Sequence, residues 1–266
     1  MKKLKKVAIV IPTQKSHLNK SDLLSLRHLQ KYLDEYDKYF VTPYSTLKTN
    51  VKLKKVRFVK FQKNYFLSPK TYNKLLLCDD FYKAFSSYEY ILIYQLDALV
   101  FSNQLKEWCN KEFSYIGAPW VNSIIGRLTH MKTLPANGGN GGFSLRNVEM
   151  CRKVLRKVKG LSTKSSANHL IQMFWFFLAI IKGKSHGIWL KAPPDNYPLN
   201  EDGFWSLEAP KYLNEYKTAP LKESLTFSFE RYPEKCFRLN KNRLPFGCHA
   251  WSKYDPGFWK KYLLKD

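Results

Sequence analysis

The sequence predicts a single-domain α/β protein built on a mixed, mostly parallel sheet with helices on its faces. Three observations carry this. Val7 to Pro12 (VAIVIP) is an unbroken apolar, β-branched run, as a strand buried on both faces requires. Ser21 to Tyr36 then places Leu23, Leu24, Leu26, Leu29 and Leu33 at helical spacing. Tyr90 to Val100 (YILIYQLDALV) is a longer apolar strand that again follows a helix-patterned segment, so strand–helix–strand order repeats.

The elements follow in order. Ser21 is placed to cap the first helix. Tyr39 to Thr42 and Lys55 to Phe61 read as two further strands. Ser68-Pro69 opens a helix running to about Phe85, with Ser as N-cap and Pro in the first turn. Phe113 to Ala118 reads as a strand, and Asn137 to Gly142 (NGGNGG) as a glycine-rich loop. A short strand FSLR and a basic helix from Asn147 to Lys159 come next. Thr163 to Ser166 reads as a polar linker before an aromatic helix at His169 to Ile181. Ala192 to Pro210 is punctuated by proline, Ser224 to Glu230 reads as a strand, and PFGCHAW (245–251) lies near the C-terminus. No linker divides the 266 residues, so one domain is expected, with a nucleotide-binding half (1–136) and an acceptor-binding, catalytic half (137–266).

Composition narrows the function classes. Lys plus Arg is 45 and Asp plus Glu is 21, a formal charge of +24 that favours anionic partners. Lys greatly outnumbers Arg, which speaks against a dedicated reader of nucleic-acid sequence. The five cysteines show no C-x-x-C spacing, which fits a reducing compartment and buried packing roles rather than disulfides or structural zinc. The apolar run at 173–181 is too short for the ~20 residues that span a bilayer.

Four features carry chemistry. Asp97 is a lone acid in an apolar strand. It either caps a local turn or stands at the carboxyl end of a sheet strand, where it would hold a divalent cation and through it a diphosphate. His249, beside Gly247 and Trp251, is either a packed core histidine or, if it meets Asp97 in space, a second ligand that favours Mn²⁺ over Mg²⁺. Glu201-Asp202 either caps a helix or supplies a general base, with Phe204 and Trp205 offering flat faces to a sugar ring. The glycines at 138–142 make a plain turn or let the backbone approach a ligand. Lys70, Lys74, Arg127 and Arg146 are basic residues near the expected nucleotide end, either solvated surface charges or the positive charge that a leaving diphosphate needs.

Taken in order, SPKTYNKLLL, YILIYQLDALVF, YIGAPW, GNGGFSLR, NEDGFW and PFGCHAW resemble a largely uncharacterised bacterial family of GT-A-type glycosyltransferases encoded with surface-polysaccharide genes. The resemblance runs from about Tyr65 to Trp259. It implies a GT-A-like fold and a metal-dependent, hexosyltransferase-like enzyme using Mn²⁺ or Mg²⁺. The donor would be a nucleotide-diphosphate sugar, a UDP-sugar above others. The acceptor would be a glycan or lipid-linked glycan of the lipopolysaccharide core, O-antigen or capsule. The family's Asp-x-Asp corresponds to Gln95-Leu96-Asp97, so Asp97 carries over as metal ligand and the first acid is replaced. His249 matches the family's C-terminal histidine ligand. Pro12, Thr13, Asn73, Lys74, Gln95 and Leu96 would meet the nucleotide-sugar, and Trp120, Asn140, Gly141, Gly142, Phe204 and Trp205 the sugars. Asp202, with Glu201 beside it, would be the base of an inverting enzyme. A cytoplasmic location follows, with adhesion to the anionic inner face of the membrane. Two rivals remain. A sugar nucleotidyltransferase would show a glycine-rich basic loop after the first strand, where this chain reads PTQKSHLNKSD. A non-catalytic basic protein would bind nucleic acid or membrane and have no use for Asp97 or His249.

Overall fold

The computed structural model describes residues 4–47, 49–120, 139–162, 197 and 200–264. Arg127, the linker at 163–166 and the expected helix at 169–181 lie outside the described residues. A six-stranded sheet runs in the order β3-β2-β1-β4-β7-β6, comprising β1 (Lys5–Pro12), β2 (Asp37–Thr42), β3 (Val56–Lys60), β4 (Tyr88–Tyr94), β6 (Tyr115–Ala118) and β7 (Asn140–Asn147). β1, β2, β3 and β4 are parallel, and β7 is antiparallel to β4 and β6, which gives the expected mixed, mostly parallel sheet. Alternate residues of β1 and β4 enter two separate cores. Ala8, Val10, Ile91 and Ile93 pack on one face, and Val7, Ile9, Ile11, Leu92 and Tyr94 on the other. Burial on both faces is why these strands read as continuous apolar runs.

Helix α1 (Lys20–Leu33) covers the second face through Leu26, Leu29 and Leu33. Its cap is Asn19 rather than Ser21, because Asn19 and Asp22 satisfy each other's backbone N–H groups. Ser68 caps α2 (Pro69–Leu76) as expected, in a box with Thr71. The single helix expected to Phe85 breaks at Leu77-Cys78 and resumes as α3 (Asp79–Lys83). Helix α5 (Val148–Ser162) follows β7, after α4 (Leu105–Asn110).

Three other expectations are corrected. The strand at 90–100 ends at Tyr94, turns through Gln95–Ala98 and continues as β5 (Leu99–Val100) in a second sheet, β5-β9-β8. The glycines from Asn140 to Gly142 are part of β7 itself, not a loop before it. The strand at 224–230 is mostly helix, Leu221–Phe227, with only Ser228–Phe229 (β8) extended. β9 (Gly247–Cys248) pairs antiparallel with β5, Leu99 opposite Cys248. The described cysteines are all free, four of them buried. No helix among the described residues is long and apolar enough to cross a membrane.

Candidate active site

Asp97 lies just past the carboxyl end of β4, where open α/β sheets bind ligands. The β5–β9 pairing explains how His249, 152 positions later (249 − 97), arrives beside it. Leu99 faces Cys248, so the residues flanking that pair come together, and Trp251 N–H donates to the Asp97 carbonyl at 3.2 Å. The His249 Nε2 stands 3.2 Å from Asp97 Oδ1 and 3.0 Å from Gln95 Oε1. Its other nitrogen, Nδ1, faces Glu230 Oε1 at 3.4 Å. Burial alone would lower the imidazole pKa, but hydrogen bonds and charge from Asp97 and Glu230 outweigh it and raise it to about 10. Asp97 is correspondingly held below its ordinary value: burial opposes this, and the His249 hydrogen bond overcomes it.

This donor set fits a divalent cation. Neighbouring ligands of an octahedral ion at ~2.1 Å stand ~3 Å apart, the spacing seen between His249 Nε2 and the Asp97 and Gln95 oxygens. Glu230, behind Nδ1, is placed as the carboxylate that would orient the imidazole were it to ligate. Among the described residues no three His, Cys, Asp or Glu side chains gather as a metal site. Protein ligation would therefore rest on Asp97, His249 and the Gln95 amide, leaving positions for phosphate oxygens and water.

The glycine segment borders this pair. Asn140 Nδ2 donates to Glu230 Oε1 at 2.9 Å, and its Oδ1 accepts from Gly142 N–H at 3.0 Å. A Cβ on Gly142 would strike the His249 ring, and one on Gly141 would strike the Glu201 carboxylate. Both glycines are thus required by close approach. Trp120 is half-buried and packs where a Cβ on Gly139 would stand.

Arg146, at the far end of β7, is fully buried. It grips Glu201 with two hydrogen bonds, Nη1 to Oε2 at 2.8 Å and Nη2 to Oε1 at 2.9 Å. Both Glu201 oxygens are occupied and the side chain is buried, so this acid is not open to an incoming hydroxyl. Nor is Arg146 open to a diphosphate. Asp202, by contrast, is half-buried, with one oxygen accepting from Gly203 N–H at 2.8 Å. Burial, then the Glu201 charge, push its pKa up to about 7. The two acids open a helical turn (201–203) that widens into a π-helical turn at Phe204–Glu208, a distortion frequent at functional sites.

The remaining expected residues divide. Pro12 ends β1 and Thr13 follows it, and both are buried. Tyr72 on α2 accepts from Gln95 Nε2 at 3.3 Å, and Asn73 donates to Asn200 Oδ1 at 3.1 Å, so α2 touches both ends of the site. Lys70 and Lys74 are exposed on the same helix, and Leu96 is buried. Phe204 and Trp205 do not offer faces to a sugar. Both are fully buried, Trp205 against Tyr82 and Tyr216 with its Nε1–H donating to Leu76 O at 3.3 Å. The helical turn that presents Asp202 carries these rings inward. Glu230 is not among the residues the sequence singles out, although it closes the run LTFSFE just past β8, as Asp97 lies just past β4. A cavity of about 410 Å³, lined by Arg231, Arg238, Lys253 and Tyr254 among others, adjoins Glu230 and His249 in sequence but contains neither.

The family described as Protein of unknown function (DUF5672) matches residues 55–249. No curated protein matches the chain in sequence. Among solved structures, the galactosyltransferase LgtC, in complex with donor and acceptor sugar analogs, superposes with a TM-score of 0.52 at 12% identity, over 97% of each chain. The glycosyltransferase GlyE of Streptococcus pneumoniae gives 0.49 at 13% identity, over 98% of this chain and 61% of that one. The fold is thus the GT-A type that the sequence resemblance implied.

Proposed function

The chain belongs to the DUF5672 family, and we propose that it is a metal-assisted glycosyltransferase. The donor class is a nucleotide-diphosphate sugar, UDP-sugars first, and the acceptor a hydroxyl of a bacterial surface glycan, free or lipid-linked. The observation that carries the reading is the Asp97–His249 pair, at 3.2 Å, past the end of the central strand and backed by Glu230. Mn²⁺ or Mg²⁺ held there would stabilise charge on the departing diphosphate. Glu230 fixes which imidazole nitrogen faces Asp97, and Gln95 ties that nitrogen to α2 through Tyr72. Asp202, with its pKa near 7, takes the proton from the attacking hydroxyl as the new C–O bond forms and the bond to the diphosphate breaks. The glycines of β7 bring backbone close to His249 and to Glu201, the neighbour of Asp202. In this reading residues 1–136 bind the nucleotide and 137–266 supply the acceptor site and the base.

The deciding experiment is a thermal-shift screen against UDP-, GDP-, CMP- and dTDP-sugars, with and without Mn²⁺. A ligand at a hundredfold excess over its Kd adds about 2.7 kcal/mol of apparent stability. One nucleotide class should raise the melting temperature only with the metal, and Asp97→Asn should abolish that rise. No shift with any nucleotide would count against the reading.

A further inference from the structure

We propose that Arg146 and Glu201 act together as a positioning pair for Asp202, holding the backbone from which it projects and fixing the charge beside it. The inference rests on the glycosyltransferase reading only for what Asp202 does, not for how it is held. Three geometric facts support it. Arg146 is fully buried, and beyond its two bonds to Glu201 it donates to Tyr82 Oη and Ser144 Oγ, each at 3.0 Å, and to Gly141 O at 3.3 Å. Its guanidinium also lies 5.3 Å from the Tyr115 ring centre. Every anchor of the cation is therefore on the sheet or α3, while its grip is on the residue next to Asp202. Gly141, whose Cβ would meet Glu201, leaves the room this grip needs.

The charge environment of Asp202 follows from the same contacts. Glu201 faces it from its own turn, Glu230 from beyond β8, Arg146 from β7, and Tyr115 and Tyr197 from neighbouring segments. Glu201 and Glu230 oppose ionisation and Arg146 favours it. Glu201→Gln keeps the size and removes one negative charge, so Asp202 should ionise at lower pH. Arg146→Lys keeps a cation but cannot make the planar two-point grip, so Glu201 is less neutralised and Asp202 should ionise at higher pH. Because Arg146→Lys neither adds nor removes a charge, a pair whose grip does not set the charge beside Asp202 would leave the midpoint of that variant at the wild-type value.

The test is a carbon-13 NMR titration of the full chain labelled at aspartate carboxyls, the Asp202 signal being the one missing in Asp202→Asn. The expected result is a midpoint that falls in Glu201→Gln and rises in Arg146→Lys. Should Glu201→Gln fail to fold, Arg146→Lys decides alone. Midpoints equal to wild type, or shifted in the opposite senses, overturn the proposal. Turnover with the nucleotide-sugar found in the screen is the second readout. kcat should fall about tenfold or more in both variants with the donor KM within a few-fold, and its acid limb should follow the NMR midpoints. If the wild type turns over no nucleotide-sugar yet the midpoints move as expected, the glycosyltransferase reading fails and the pair stands. If the wild type is active and the variants keep its kcat and pH profile, the pair fails and the reading stands.

Discussion

Asp97 keeps 45% of its side chain exposed while the His249 side chain beside it keeps only 12%. Asp97 is therefore open to solvent, as the proposed metal–diphosphate contact needs, and His249 is held from behind by Glu230. Removing that support should be measurable without catalysis. Glu230→Gln should weaken Mn²⁺ affinity about 10–100-fold by calorimetry, the usual loss when a carboxylate behind a ligating imidazole is removed. Affinity equal to wild type would contradict the ligand role of His249. Asp202 gives a prediction of opposite sign for stability and rate. Its folded pKa, about 7, is above the ordinary 3.8, so the native state holds this proton more tightly than the unfolded chain. The stability that comes from the protonated form is present at about pH 4 and is lost as pH rises to about 7. Asp202→Asn cannot ionise, and it should melt higher than wild type at pH 8, by about 2–4 °C for each kcal/mol recovered. Turnover should fall about 10²–10⁴-fold in the same variant. An acid that merely caps a helix predicts the reverse, about 1 kcal/mol of lost stability and unchanged turnover.

At the scale of elements, β7 is the piece on which the site turns. Its first residues carry the glycines and its end carries Arg146, so one strand holds the His249 end and the Asp202 end in fixed relation. Gly142→Ala should leave the chain folded but displace His249, and Mn²⁺-dependent nucleotide binding should fall at least about tenfold by the thermal-shift assay. Wild-type binding would show that the ring tolerates displacement. Arg146→Met strands the buried Glu201 carboxylate and should cost about 3–5 kcal/mol in denaturant unfolding, whereas Arg146→Met/Glu201→Leu, with the pair replaced by apolar volume, should recover most of it. The strands buried on both faces, β1 and β4, were legible because nothing but an apolar run survives there. The helix at 221–227 was not. Ser224, Leu225 and Phe227 are its buried residues, and in so short a segment their spacing also reads as the alternation of a strand. The break at Gln95–Ala98 was hidden for a related reason, since Leu96 and Ala98 are as buried as the strand residues before them.

For the whole molecule, the sequence shows which residues carry chemistry better than it shows which of them meet. Asp97, His249 and Asp202 stand out as polar groups in apolar or aromatic surroundings, but only the β5–β9 pairing brings the first two together. The occupation of Glu201 by Arg146 and the inward turn of Phe204 and Trp205 are tertiary facts with no local signature. The formal charge of +24 belongs to this scale as well, because neither Arg146 nor the Asp97–His249 pair spends it. A cationic surface of this size attracts any polyanion, and each Lys or Arg near an anionic bilayer is worth ~1 kcal/mol, screened beyond ~8 Å at physiological salt. If lipid-linked acceptors are the target, the protein should cosediment with vesicles containing about 30% phosphatidylglycerol and not with neutral phosphatidylcholine vesicles. The bound fraction should drop steeply between about 50 and 500 mM NaCl. Asp97→Asn and Asp202→Asn should cosediment as wild type does, because vesicle adhesion and chemistry use different groups. A 20-base-pair DNA duplex is the control that separates the two classes of partner. Tighter binding to the duplex than to anionic vesicles at 150 mM NaCl, together with no nucleotide-sugar shift in any condition, would favour the non-catalytic, nucleic-acid-binding alternative over the transferase.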